Sequence, residues 1–244
     1  MIVVANLKAY MTYEDILKYK DNIPNNVIVC PSNLYIPFFL NHNYKVGIQD
    51  ISIYDTGAHT GEICASQVKE LGVEYAIIGH SERRSKETDD EINKKVLKAL
   101  ENNLKVILCI GENKDENKNE KIEYQILNDL KNVSNLDNVI IAYEPVWCIG
   151  TGVTPTNEQI EETIKFIQSI FQKNFTTNAK ILYGGSVDKN NINTLKKINL
   201  SGFLIGKAST DYEHLKEIVD SLSWRFFSTK LAKFRSRFIL TTII

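Results

Sequence analysis

Short apolar runs alternate with longer polar or amphipathic stretches along most of the chain. The apolar runs predict strands over residues 2–6, 27–30, 46–49, 75–78, 105–109, 139–143, 180–183 and 202–205. Between them, the longer stretches predict helices over 13–20, 34–40, 65–71, 90–102, 118–130, 157–172, 190–198 and 211–222. Each strand is followed by its helix. Near-continuous apolar strands such as Val106 to Ile110 are what a parallel sheet covered on its outer face requires. Eight successive strand–helix units favour a closed (β/α)8 barrel over an open doubly wound sheet, which usually has fewer strands and a nucleotide loop after the first. No such loop follows residues 2–6. No internal repeat is evident at the level of sequence, and the polar segment 113–121 reads as a solvated loop entering a helix.

At 244 residues, one barrel of about 250 residues would use the whole chain, so one large domain fits as well as two. With 43% hydrophobic and 24% charged residues, the composition is that of an ordinary globular protein and excludes wholesale disorder. Cys30, Cys64, Cys109 and Cys148 lie far apart and form no C-x-x-C pair, so neither a zinc ribbon nor a disulfide framework is expected. The start is without a basic leader, and no apolar run reaches the roughly 18 residues of a membrane span, so the expected location is the cytoplasm. The net charge of −1 is unevenly spread. Residues 223–244 hold five basic residues and no acid, leaving residues 1–222 with 24 basic against 30 acidic residues, a net of −6. This mildly acidic body has no nucleic-acid footprint.

In a parallel barrel, function sits where strands end. The first strand ends in Asn6-Leu7-Lys8, the fourth in Gly79-His80-Ser81-Glu82-Arg83-Arg84, the sixth in Tyr143-Glu144, the seventh in Gly184-Gly185-Ser186 and the eighth in Gly206-Lys207. Glu144 is a lone carboxylate at the tip of an apolar strand. Pro145 stops the ladder after it, and an apolar stretch closed by Gly150 and Gly152 follows, as a mobile lid would need. Exposed amides at Gly184-Gly185-Ser186 and Gly206 suit a phosphate, because the loops after strands seven and eight frequently hold one in this fold.

Taken singly, these residues have structural explanations. Glu144 could cap an ordinary turn, Lys8 could be a solvated loop lysine, and His80 a satisfied histidine below a helix. Glu82, Arg83 and Arg84 could form an ion-pair cluster, and Glu82 is assigned a largely structural role. Their joint position at strand C-termini favours a site. Cys109 reads as a small buried side chain supporting the site, since no strong base or cation adjoins it in sequence. His42, His59 and His214 are without such company. Gly150-Thr151-Gly152 is not a dinucleotide fingerprint, because the third glycine and the strand-to-helix context are missing.

Gly57-Ala58-His59-Thr60-Gly61-Glu62, Gly79 to Arg84, Cys109-Ile110-Gly111-Glu112, Ala142 to Trp147, Gly150-Thr151-Gly152, Tyr183 to Val187 and Gly202 to Gly206 together resemble the motifs of triosephosphate isomerase, in order, over residues 2–222. The resemblance implies a TIM barrel spanning residues 1–222 and a triose phosphate substrate. It makes Glu144 the base that moves a proton between C1 and C2 under a closing lid. His80, at a helix N-terminus, would polarise the carbonyl as neutral imidazole, a tuning for which this family is the standard example. Lys8 would neutralise developing charge, with Asn6 donating to substrate oxygens. Amides of Gly150, Ser186, Gly206 and Lys207 would hold the phosphate, while Glu82, Ser81 and Cys109 would support the site. Thr60 would reach the site of a partner subunit, so a homodimer is expected. The chemistry needs no metal and no cofactor. The rival reading is a phosphate-binding barrel used as a membrane tether or partner-binding module; the joint presence of Asn6, Lys8, His80 and Glu144 argues for the enzyme.

The sequence also departs from the family pattern. Leu7 stands where an aromatic is usual, Lys207 replaces a second glycine of the phosphate loop, and Val153-Thr154-Pro155 gives the lid a hinge without the common lysine. In residues 223–244, Trp224, Phe227, Leu231, Phe234 and Phe238 recur at spacings of three and four between basic residues. A helix there would be basic and amphipathic, suited to a membrane surface or a partner. The alternative is an adventitious extension, of the kind a shifted reading frame produces. The extension is the reading adopted, since isomerase chemistry requires no such segment.

Overall fold

The computed structural model of the chain describes residues 1–40, 44–149, 151 and 154–223. His42, Gly150, Gly152, Val153 and the segment 224–244 discussed above lie outside the described residues.

Eight parallel strands close into a barrel in sequence order: β1 (Ile2–Asn6), β2 (Val27–Cys30), β3 (Lys45–Ile48), β4 (Tyr75–Ile78), β5 (Lys105–Ile110), β6 (Val139–Tyr143), β7 (Lys180–Tyr183) and β8 (Gly202–Ile205). The closing pair is β1 with β8, where Val3 registers with Phe203. Six strands match the expected spans; β3 is shifted one residue earlier at both ends and β5 runs one residue further, to Ile110.

The apolar residues of each strand split by parity. Val4, Ile28, Ile77, Ile107, Ile140, Leu182 and Leu204 form one cluster, whereas Val3, Ala5, Ala76, Ile78, Leu108, Ile141 and Phe203 join the larger cluster packed under the helices. Side chains alternate across a strand, so both faces of these strands are buried and both must be apolar. That is why the strands read as continuous apolar runs.

The helices are α1 (Tyr13–Tyr19), α2 (Ile36–Leu40), α3 (Ala65–Glu70), α4 (Ser81–Arg84), α5 (Asp89–Glu101), α6 (Lys118–Asp129), α7 (Asn157–Phe175), α8 (Ile192–Leu195) and a last helical stretch over 212–223. Threonines set several starts: Thr12, Thr88 and Thr156 each close a capping box with the residue three positions on. In α7, Ile160, Ile164, Ile167 and Phe171 fall at helical spacing and are buried against the barrel, while Glu158, Glu161 and Glu162 face away from it. The element over 34–40 opens with a 3-10 turn at Asn33–Tyr35, and α8 is shorter than its pattern predicts. The four-residue α4, which carries no periodic apolar signal, is the helix the pattern misses. No described helix is long and apolar enough to cross a membrane.

Candidate active site

The C-terminal ends of β1, β4, β6, β7 and β8 surround a cavity of about 520 Å³. Alternation decides most of what points in. On β6, Ala142 faces the barrel interior and Tyr143 the helices, so the next residue, Glu144, returns inward. Asn6 follows Val4 and Ala5 in the same way. His80 breaks the rule. Ile77 faces in and Ile78 out, so strict alternation would turn His80 outward; Gly79, at φ 69°, breaks the extended geometry and the imidazole lines the cavity.

Glu144 and His80 then meet. Glu144 is 3% exposed, and its Oε1 lies 3.1 Å from His80 Nε2, while Oε2 accepts a hydrogen bond from the Ser81 backbone N–H at 3.2 Å. His80 N-caps α4, its Nδ1 accepting from the Glu82 N–H at 3.2 Å. With Nδ1 an acceptor, the ring's proton sits on Nε2. Burial draws the imidazole pKa down, but contact with the Glu144 carboxylate more than offsets it, and the net direction is above the ordinary 6.5. Take the carboxylate away, and burial, the nearby Lys8 charge and the backbone donor on Nδ1 favour the neutral ring, against the smaller pull of Glu82.

Lys8 occupies a left-handed conformation, φ 48°, unusual for a residue with a side chain. Two neighbours hold it there. Its N–H donates to Asn6 Oδ1 at 3.1 Å, and Gln49 Nε2 donates to both the Lys8 and the Cys30 carbonyls, at 2.9 and 3.0 Å. Its ammonium pairs with Glu82 at 2.7 Å. Burial would raise the Glu82 pKa, yet the Lys8 hydrogen bond and charge bring it below the ordinary carboxylate value.

Ser186, Gly206 and Lys207 line the same cavity as Asn6, Lys8, His80 and Glu144. Lys207 begins a 3-10 turn and is not among the residues at positive φ, so its backbone does not need the glycine it replaces. Cys109 is fully buried, close enough to Glu144 for the carboxylate charge to act on its thiol. Burial, reinforced by that negative charge, pushes the thiol pKa well above its usual value and keeps it protonated. No base or cation adjoins Cys109 in sequence; in space Glu144 and Arg84 both do. Thr60 lies apart, exposed on the loop where His59 stacks on Tyr54. His214, which stands alone in sequence, lines the rim of the cavity.

The stretch after Pro145 is a 3-10 turn at Val146–Cys148, tied down by the buried Glu112. Trp147 Nε1 and the Tyr143 hydroxyl both donate to Glu112 Oε1, at 3.1 and 3.2 Å. Arg83 and Arg84 do not pair with Glu82. Arg83 joins Asp50 and Glu87, and Arg84 joins Asp89 and Asp129. Gln49, Glu112 and Arg84 carry no local sequence signal for these roles, because each acts on a strand end distant in the chain.

The triosephosphate isomerase family model matches residues 1–222. The chain belongs to the triosephosphate isomerase family. It is 43% identical to a triosephosphate isomerase of Clostridium botulinum (strain Loch Maree / Type A3) over 212 residues, 80% of this chain and 86% of that one. A triosephosphate isomerase of Wolbachia pipientis wMel is 39% identical over 239 residues, covering 92% of this chain and 95% of its own. One from Mesomycoplasma hyorhinis is 46% identical over 172 residues, 68% of this chain and 69% of its own. Family membership agrees with the closed barrel and with the motifs at its strand ends.

Proposed function

We propose that the chain interconverts dihydroxyacetone phosphate and D-glyceraldehyde 3-phosphate through an enediolate, as a glycolytic isomerase of the cytoplasm. The observation that carries this reading is the buried carboxylate of Glu144 in direct contact with His80 Nε2, beside the Lys8 ammonium, in one cavity. A module that only binds phosphate has no use for a base and an N–H donor held together in a buried corner.

Substrate phosphate lodges against the loops bearing Ser186, Gly206 and Lys207, with Gly150 as the lid's contribution. The reacting carbons enter between Glu144 and His80, which separates that pair. Separation removes the contact that raises the imidazole pKa, so His80 meets the substrate carbonyl as a neutral ring donating from Nε2. Glu144 removes the proton from the carbon next to the carbonyl, and the electron pair moves to the carbonyl oxygen, giving the enediolate. Lys8 and the Asn6 amide, whose Oδ1 is already engaged by the Lys8 N–H, offset the charge on those oxygens. Glu144 then returns the proton to the neighbouring carbon while His80 passes the hydroxyl proton across. Exclusion of water by the lid leaves the Glu144 carboxylate more basic and protects the enediolate from losing phosphate.

The active form proposed is a homodimer. A second cavity of about 200 Å³, bordered by Asn6, Lys8, Glu82 and Arg83, is where the partner subunit's Thr60 would lodge. Sedimentation should give a dimer, and Thr60→Arg should yield monomers of reduced activity.

A coupled assay with glyceraldehyde 3-phosphate tests the reading. Wild type turns over, and Glu144→Asp, which draws the carboxylate back by about 1 Å, loses about 100-fold or more in kcat with the circular dichroism unchanged. An inactive wild type that sediments with liposomes would favour the tether reading instead.

A further inference from the structure

Arg84 ends the short helix that His80 begins, and its guanidinium converges on the main chain of a different strand. Nη2 and Nε donate to the Cys109 carbonyl at 2.8 and 3.3 Å. Nη1 bonds Asp89 at 2.8 Å, and Nη2 also bonds the fully buried Asp129 at 2.5 Å. The guanidinium also sits against Gly79, where an added Cβ would come to 3.0 Å from Nη2. The last registered pair between β4 and β5 is Ile78 with Leu108, and Arg84 fills the space just beyond it. Both residues it touches there adjoin the site: Gly79 turns His80 inward, and the buried Cys109 lies next to Glu144.

We propose that Arg84 is a positioning residue for the isomerisation: wedged between the ends of β4 and β5, its guanidinium sets the separation of His80 from Glu144. The inference rests on the roles assigned to those two side chains above. A planar fork can serve the Cys109 carbonyl, Asp89 and Asp129 at fixed angles; an ammonium reaches fewer acceptors and fixes no plane. Asp129, the last residue of α6, and Asp89, at the start of α5, therefore orient a plate whose far edge touches the two strand ends carrying the chemistry.

The test uses two variants of the full chain and two readouts. Arg84→Lys keeps the charge and loses the fork. Arg84→Ala combined with Asp129→Asn removes both members of the ion pair, so no buried carboxylate is left unpaired and the barrel folds. In the coupled assay, kcat falls about tenfold or more in the double variant and less in Arg84→Lys, while KM and inhibition by inorganic phosphate stay near wild type. The second readout, the NMR titration of the His80 ring, does not depend on turnover. The charged groups facing that ring are Glu144 from the end of β6, Lys8 from the end of β1 and Glu82 on its own helix. If the spacing opens, the Glu144 contact weakens and the His80 midpoint drops by about half a unit or more in the double variant. A kcat or a His80 midpoint equal to wild type in the folded double variant overturns the proposal, because Arg84 is then only the counter-ion of Asp129. Should wild type fail to isomerise triose phosphate, the functional reading falls, and the His80 titration still decides the spacing role.

Discussion

Gly184 gives the sharpest test of how tightly the base is held. An added Cβ there would lie 2.9 Å from Glu144 Cγ, with Glu144 Oε1 and Leu204 Cδ2 both at an ordinary 3.5 Å. Carbon atoms in contact sit about 3.5–4.0 Å apart, so Gly184→Ala forces Glu144 Cγ to move by roughly 0.6–1 Å. The backbone of Glu144 cannot absorb that shift, because its N–H is bound to the Ile110 carbonyl at 2.8 Å. Gly184 itself is not at positive φ, so alanine carries no conformational penalty there and the effect is steric. The displacement therefore passes to the carboxylate and to its 3.1 Å contact with His80. A misplacement of about 1 Å at a reacting group costs on the order of 100-fold, close to 2.7 kcal/mol in the barrier. Gly184→Ala is expected to lower kcat by about 10- to 100-fold, with a KM within a few-fold of wild type and an unchanged circular dichroism spectrum. A kcat within twofold of wild type, or an effect confined to KM, would refute the argument that this glycine makes room for the base.

Other consequences follow from the same structure. Trp147→Phe removes a donor from the buried Glu112, whose Oε2 already has no partner among the described residues, and should cost about 1–3 kcal/mol in urea unfolding; a loss below about 0.3 kcal/mol would contradict the anchoring of the lid base. Asp129 has its pKa raised by burial to about 6 from 3.8, in a setting of Arg84, Asp89 and Lys121. An acid raised in the folded state favours folding below its unfolded pKa and loses that contribution as pH rises, so from pH 4 to 7 wild type should lose on the order of 2–3 kcal/mol relative to Asp129→Asn. Parallel stability curves for the two proteins would count against it. Lys207→Gly should raise KM about two- to fivefold and flatten its salt dependence with kcat unchanged, and an unaltered KM would show that the ammonium plays no part in phosphate binding. Removing residues 223–244 should leave turnover intact; a large loss in a protein that still folds would give that segment a role in catalysis.

The order of strands, and the residues ending each of them, were legible along the chain. A strand buried on both faces has to be a continuous apolar run, and parallel strands put all their C-termini on one side. Asn6, Lys8, His80, Glu144, Ser186, Gly206 and Lys207 could therefore be assigned to one face from local pattern alone. That Glu144 and Asn6 point inward follows from alternation with a period of two. His80 does not follow from it, because a single glycine at φ 69° inverts the parity just before it.

The tertiary structure alone decided which of these groups touch. His80 and Glu144 are 64 positions apart, and their contact depends on how far neighbouring strands tilt and stagger when the barrel closes. The same closure brings Arg84 to the carbonyl of Cys109 and the backbone of Gly184 against Glu144, and brings His214 to the rim of the cavity. Periodicity in a sequence reports which face of an element is buried, since burial is set by each element's own geometry. Distances between side chains on different strands arise only when the sheet closes, and no local pattern encodes them.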